Sequence, residues 1–353
     1  MHKFFTSSYD ASIYLQQPEQ NAGRDEILEV GKLYYGSTKD IARTLIKFNV
    51  ANMGIPSGSI VYLNLKSSQA EEIPLEYTIH ANAVSQSWIM GTGTKFDNIT
   101  SDGVSWKYKD GINKWQDNTE GGTAIYAVGT TGSANAEGGT WYTASQASQS
   151  YNYEDADVRM DVTNIVNLWL SGSLPNNGFI IHHSLDNEAN ALDYGILKFF
   201  SKETSTIYEP KLEILWNDFS RNTGSLTPVT GSAEEGYKVV LTNLKNKYPA
   251  NETIKIRVKG RDMYPAKSFG TTFEYDQSKY LPVDSYYQLE DYKTGEILYP
   301  FGEYTKISCD STSNYFNMSL NTLPINRTYK LKIKIIEGGI STIIDDKLIF
   351  EIV

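Results

Sequence analysis

Apolar residues recur at every second position in one segment after another of this chain, and no helical segment separates successive ones. LEYTIH at 75–80 sets Leu75, Tyr77 and Ile79 against Glu76, Thr78 and His80. KLEILW at 211–216 aligns Leu212, Ile214 and Trp216, and TLIKFNV at 44–50 puts Ile46, Phe48 and Val50 opposite Leu45. Strand side chains point alternately to the two faces, so a period of two marks a half-buried strand. Parallel strands would need crossovers of a dozen or more residues, usually helices. The pattern therefore predicts an all-β chain of antiparallel sandwiches.

The chain has 353 residues, enough for two or three domains. NDFSRNTGSLTPVTGSAEEG at 217–236 is polar, contains Gly and Pro, and has no periodic face. It predicts a linker at 217–231 between a sandwich at 1–216 and a second at 232–353. In the second part TIKIRVKG turns Ile254, Ile256 and Val258 inward and Lys255, Arg257 and Lys259 outward. YKLKIKII repeats this with Leu331, Ile333 and Ile335 against lysines, DYKTGEIL bends at Thr294-Gly295, and LIFEIV supplies a last strand. An immunoglobulin-like sandwich is expected there. Residues 91–157 break the alternation with dense Gly, Ser, Thr and Asn, yet Trp106, Trp115, Trp141 and Tyr142 stand among them. That reads as long loops decorating the first sandwich, with two short strands inside.

One stretch has a helical period. In DVTNIVNLWLSGSLP, Asp161 is placed to cap the first turn, and Val162, Ile165, Val166 and Trp169 form one apolar stripe. Gly172 supplies a left-handed end and Pro175 prevents resumption. The stripe must face the core, so Trp169 is a packing residue and not a ligand platform.

Net charge is −10 with the two signs interspersed, which argues against a nucleic-acid surface. No run of eighteen apolar residues suggests a membrane span. MHKFFTSSYDASIYLQ lacks the pattern of a secretory signal. The single cysteine, Cys309, excludes a disulfide within the chain and a cysteine-based zinc site. His2, His80, His182 and His183 have no metal-ligand spacing, and on GFIIHHS one ring of the His182-His183 pair should point inward and the other outward. Glu154, Asp155 and Asp157 could contribute to a calcium loop, but they read as a solvated turn. No G-x-S-x-G or phosphate loop is present, and a glycosidase pair cannot be recognised from spacing in a sandwich. No enzyme activity, cofactor or metal is expected. Trp115, Trp141, Tyr142, Tyr151 and Tyr153, set among amides and hydroxyls, suit a glycan-binding face, or else they anchor the long loops to the sandwich or pack against neighbouring subunits, and these readings all stand.

Five motifs occur in order: ARTLIKFN at 42–49, GVSWKYKDG at 103–111, DVTNIVNLWLSG at 161–172, NNGFII at 176–181, and KFFSKE followed by PKLEILW at 198–216. Together they resemble the DNRLRE-type β-sandwich, a jelly-roll-like module related in shape to carbohydrate-binding modules, over residues 8–216. Val-Ser-Trp stands where that family often has Val-Thr-Trp. The resemblance implies a sandwich core containing Phe48, Trp106, Val162, Ile165, Val166, Trp169, Phe199, Leu212 and Ile214, with the helix as a plug across one open edge. YDASIYLQQPEQNAGRDEILEVGK near the start is similar to structural proteins of tailed bacteriophages, as are MYPAKSF, YYQLEDYKTGEI, PFGEYTKISCD and YFNMSL further on. Neck and tail ring proteins of crAss-like phages are the nearest group in texture. This implies a virion component assembled in the bacterial cytoplasm. It would be a homo-oligomeric ring with portal, tail or other ring proteins as neighbours, and no catalytic residue is carried over.

Overall fold

A computed structural model shows an almost wholly β chain. It describes residues 1–36, 38–74, 76–115, 125–128 (backbone only), 137–152, 157–229, 237–263 and 278–353. The chain divides into two compact units, Phe5–Ile214, and Met1–Phe4 with Leu215–Val353.

The strands up to the division are β1 (His2–Thr6), β2 (Tyr9–Tyr14), β3 (Ile27–Tyr35), β4 (Thr38–Lys47), β5 (Ile60–Leu65), β6 (Ser67–Glu71), β7 (Glu76–Val84), β8 (Ile125–Val128), β9 (Glu137–Asn152), β10 (Val158–Asp161), β11 (Phe179–His183), β12 (Gly195–Phe200) and β13 (Lys211–Leu215). They form a four-stranded sheet, β1-β13-β5-β10, and a nine-stranded sheet, β6-β12-β3-β4-β11-β7-β9-β8, in which β2 also pairs with β4. Neighbouring residues Leu45 and Ile46 on β4 are both 0% exposed, so the large sheet is covered on both faces. On one face Phe179 packs against Phe48 and against Trp169 of helix α1 (Thr163–Leu170). On the other, Leu45, Ile13 and Ile180 meet Trp88, Val104, Trp106, Trp115 and Trp141. The segment from 85 to 115 is thus a third layer and not a fringe.

Helix α1 buries Ile165, Val166 and Trp169, each burial stabilising by about 2–3 kcal/mol. Val162, also buried, takes the N-cap position. Asp161 stands one residue earlier, and its carboxylate accepts from Thr163 N at 2.9 Å. Gly172 ends the helix at φ +75°. A second short helix, α2 (Leu185–Ala189), was not legible in the apolar pattern; Ser184 caps it by accepting from Asn187 N. The expectation of loops through 91–157 needs correction at 137–152. β9 is a 16-residue strand paired with β7 and β8. After Glu137 its exposed positions are Thr, Ala, Gln, Ser and Asn, so no alternation of apolar with charged residues announces it.

In the second unit β14 (Thr227–Pro228), β15 (Tyr237–Leu241), β16 (Lys247–Tyr248), β17 (Thr253–Asp262), β18 (Lys279–Tyr280), β19 (Ser285–Asp291), β20 (Ile297–Tyr299), β21 (Ser308–Cys309), β22 (Asn314–Ser319), β23 (Arg327–Glu337) and β24 (Ile340–Ile352) make two sheets. One is β14-β18-β17-β22-β21 with β15 beside β17, and the other is β16-β24-β23-β19-β20. Ile256, Val258, Phe316, Leu331, Ile333 and Phe350 share one core, as in a sandwich. Asp291 fastens the β19–β20 turn by accepting from Lys293 N and Thr294 N, both at 2.9 Å, and from Arg327 Nε at 2.6 Å. These bonds hold its carboxyl down at about 2 despite burial.

Two boundaries differ from the sequence reading. Met1–Phe4 belong with the C-terminal unit, where the His2 and Phe4 rings lie on Tyr299. The described part of the expected linker is also bonded into that unit. Ser220 N donates to Ser308 Oγ, Cys309 N donates to Ser220 O, Asn222 N donates to Cys309 O, and Val229 is buried. A polar sequence without apolar rhythm can still satisfy its backbone along a sheet edge.

Candidate functional site

One of the rings expected to form a recognition face, Trp141, lies beside a buried charge. Arg43 lies on the face of β4 that carries Ile41 and Leu45, beneath the 85–115 layer. Its guanidinium lies 4.7 Å from the Trp106 ring and 5.1 Å from the Trp141 ring. Nε and Nη2 hold both carboxylate oxygens of Glu188 on α2, and Nη1 donates to Gly138 O. Side-chain exposures are 2% for Arg43 and 5% for Glu188, so the pair is removed from water. A forked, bidentate geometry is what makes such a pair tolerable in a low-dielectric site. Gly138, at φ +79°, is required where it stands. A Cβ there would lie 2.5 Å from Arg43 Nη1 and 2.7 Å from the Trp106 ring. Gly138→Ala is expected to lower the stability of the N-terminal unit by at least about 1–3 kcal/mol in urea titration, through backbone strain alone.

Next to this pair, on β11, His182 stacks near Trp141 at 4.6 Å. Its Nδ1 lies 2.5 Å from His183 O and its Nε2 3.1 Å from Asn82 Oδ1. Asn82 is oriented by donating to Tyr142 O and Ser145 O, so the His182 ring faces two acceptors. Burial, and then the charge of Arg43, nevertheless push its pKa down to about 3. His183 is also buried, and its pKa falls to about 4, mainly through desolvation. One ring was expected inside and one outside; both are inside because both faces of the large sheet are covered.

The overlying loop is held by side-chain bonds to its backbone. Asn21 Nδ2 donates to Met90 O and Val104 O, and Asn21 Oδ1 accepts from Gly93 N. Asp102 accepts from Thr92 N and Thr92 Oγ1, and Asp110 accepts from Ile112 N and Asn113 N. On this fixed frame Phe96 is 88% exposed, Ile112 82%, Ile99 72% and Ile89 55%.

The glycan-face expectation is therefore corrected for four of its five rings. Trp115, Trp141, Tyr142 and Tyr151 are buried. Trp115 Nε1 donates to Ser105 O, and Tyr151 stacks on Tyr77 at 4.6 Å. Rings so packed cannot offer a face to sugar. Tyr153 lies outside the described residues, as do Glu154 and Asp155. Asp157 pairs with Lys66 and accepts from Ser67 N. Phe48, Trp106, Val162, Ile165, Val166, Trp169, Phe199, Leu212 and Ile214 are all buried. Among the described residues no cluster of three or more His, Cys, Asp or Glu could hold a metal, and no helix is long and apolar enough to cross a membrane. Neither protein-family models nor curated proteins match the chain.

Sequence reasoning missed Arg43, although a signal was present: in IARTL it shares the apolar face of a strand with Ile41 and Leu45, and a charge there must be paired. Its partner Glu188, and Phe96 as an exposed ring, carry no comparable signal.

Proposed function

We propose that the chain is a structural component of a tailed-bacteriophage particle, one subunit of an oligomeric ring in the neck or tail, assembled in the host cytoplasm beside portal, tail or other ring proteins. Its role is mechanical and non-catalytic. The phage-like texture of the run near the start and of the C-terminal series supports the virion setting. The observation that carries the assembly role is the 89–113 loop, pinned by Asn21, Asp102 and Asp110 yet presenting Phe96, Ile99 and Ile112 to solvent. A fixed loop loses little conformational freedom on contact, and exposed apolar side chains gain from being covered. The buried aromatics serve the same role by making the body stiff.

Mass spectrometry of purified particles of the encoding phage tests the reading. A copy number that is a whole multiple of the portal protein's is expected, and absence of the chain from particles overturns it. In solution, Phe96→Ser with Ile99→Ser is expected to reduce self-association in light scattering while the thermal midpoint stays unchanged.

A further inference from the structure

A cleft of 450 Å³ opens where β4 ends, lined by Ser8, Tyr9, Lys47, Phe48, Asn49 and Asn176 among others. Its parts divide into those already fixed and those left over. Phe48 is wholly buried, its ring packed on Phe179, and it offers the cleft no surface. Asn176 is committed, donating to Phe48 O at 2.8 Å and accepting from Gly178 N at 3.2 Å. Tyr9 is 49% exposed. Its ring is held edge-on by Trp88 at 6.4 Å, and Trp88 Nε1 is anchored on Asn177 O at 2.7 Å. The cleft thus has an aromatic ring that is positioned and half-exposed. By contrast, the side chains of Ser8, Lys47 and Asn49 make no hydrogen bond or ion pair with the described residues. A hydroxyl, an ammonium and an amide therefore remain available beside the ring, offering both donors and acceptors.

This combination has a chemical complement. A pyranose has a face of C–H groups that covers an aromatic ring and a rim of hydroxyls that both donate and accept. The cleft volume falls in the range of small-molecule sites. A single ammonium with two neutral groups suits hydroxyls better than a phosphate, which would call for converging cations or backbone N–H groups. We propose that this cleft is a binding site for a pyranose sugar, with Tyr9 under its C–H face and Lys47, Asn49 and Ser8 on its hydroxyls. The site lies apart from the 106–153 rings, and it does not depend on the ring-subunit reading: a chain absent from particles would still bind sugar here.

Saturation-transfer NMR on the intact chain tests it, using the methyl glycosides of glucose, galactose, mannose, rhamnose and N-acetylglucosamine at millimolar concentration. At least one is expected to receive saturation at its ring C–H protons. Tyr9→Ala should weaken that ligand by about tenfold, the size of a lost ring contact, whereas Tyr9→Phe should retain it. Asn49→Ala and Lys47→Met, which change side chains that make no hydrogen bond or ion pair with the described residues, should weaken it severalfold with the thermal midpoint unchanged. These two decide the matter if Tyr9→Ala disturbs folding. Silence from all five glycosides, or wild-type binding by Asn49→Ala and Lys47→Met together, overturns the proposal.

Discussion

Replacing Glu188 by Gln is expected to cost the N-terminal unit about 3–5 kcal/mol, because the substitution leaves the Arg43 guanidinium charged, buried and without a counter-charge. Arg43→Ala should cost a similar amount, since it strands the Glu188 carboxylate and also opens a gap between Trp106 and Trp141. The double replacement Arg43→Met with Glu188→Leu should cost much less than the two single changes added together. An apolar pair of similar size avoids the desolvation that the ions suffer. Tryptophan fluorescence in a urea titration reads this well, because Trp88, Trp106, Trp115, Trp141 and Trp169 all lie in Phe5–Ile214 and only Trp216 lies outside. A loss below about 1 kcal/mol for Glu188→Gln, the range of solvent-exposed pairs, would mean that water reaches the guanidinium.

Much of this architecture was legible in the sequence, and the boundary of legibility has a physical cause. Strands with one apolar and one polar face announce themselves, as do β17 and β23 with their outward lysines. Helix α1 was readable for the same reason, its stripe having a 3.6-residue period. A strand covered on both faces loses that contrast: Leu45 and Ile46 are equally buried, and His182 and His183 both lie inside. What covers the second face is a loop layer whose order comes from Asn21 and several aspartates bonding to backbone. Such bonds follow no period, so nothing along the chain distinguishes Asn21 from the other asparagines. The aromatic residues of 106–151 were correctly marked as unusual for loops. Whether a ring in a loop faces inward or outward is decided by long-range packing, here by the pairing of β9 with β7 and by Arg43 from a strand nearly a hundred residues earlier.

The N-terminal unit is expected to lose stability as the pH falls from about 6.5 to 4, with a slope set by the opposition of buried groups. His182 and His183 have folded-state pKa values near 3 and 4, below the ordinary histidine value. In that window the unfolded chain therefore binds two protons that the folded chain refuses. Asp10 acts in the other direction. Its Oδ2 accepts from Lys202 N and Ser7 Oγ, its Oδ1 is buried without a hydrogen bond among the described residues, and burial pushes its pKa up to about 7. Over the same window the folded chain keeps one proton that the unfolded chain has released. The net difference from these three groups is one proton, which makes stability rise by about 1.4 kcal/mol per pH unit between 4 and 6.5. Variants separate the contributions better than the absolute slope does, because Asp25, Asp40 and Glu209, also raised by burial, add to the background. Asp10→Asn removes the opposing proton, so its slope should steepen by about 1.4 kcal/mol per unit, and the variant should be the more stable protein at pH 7.5. His183→Phe should flatten the slope by the same amount. Urea titrations at half-unit steps, followed by tryptophan fluorescence, give all three slopes. If Asp10→Asn runs parallel to wild type, the carboxyl is ionised in the folded state. Water would then reach Oδ1, and the turn between β1 and β2 would be looser than the burial of Asp10 requires.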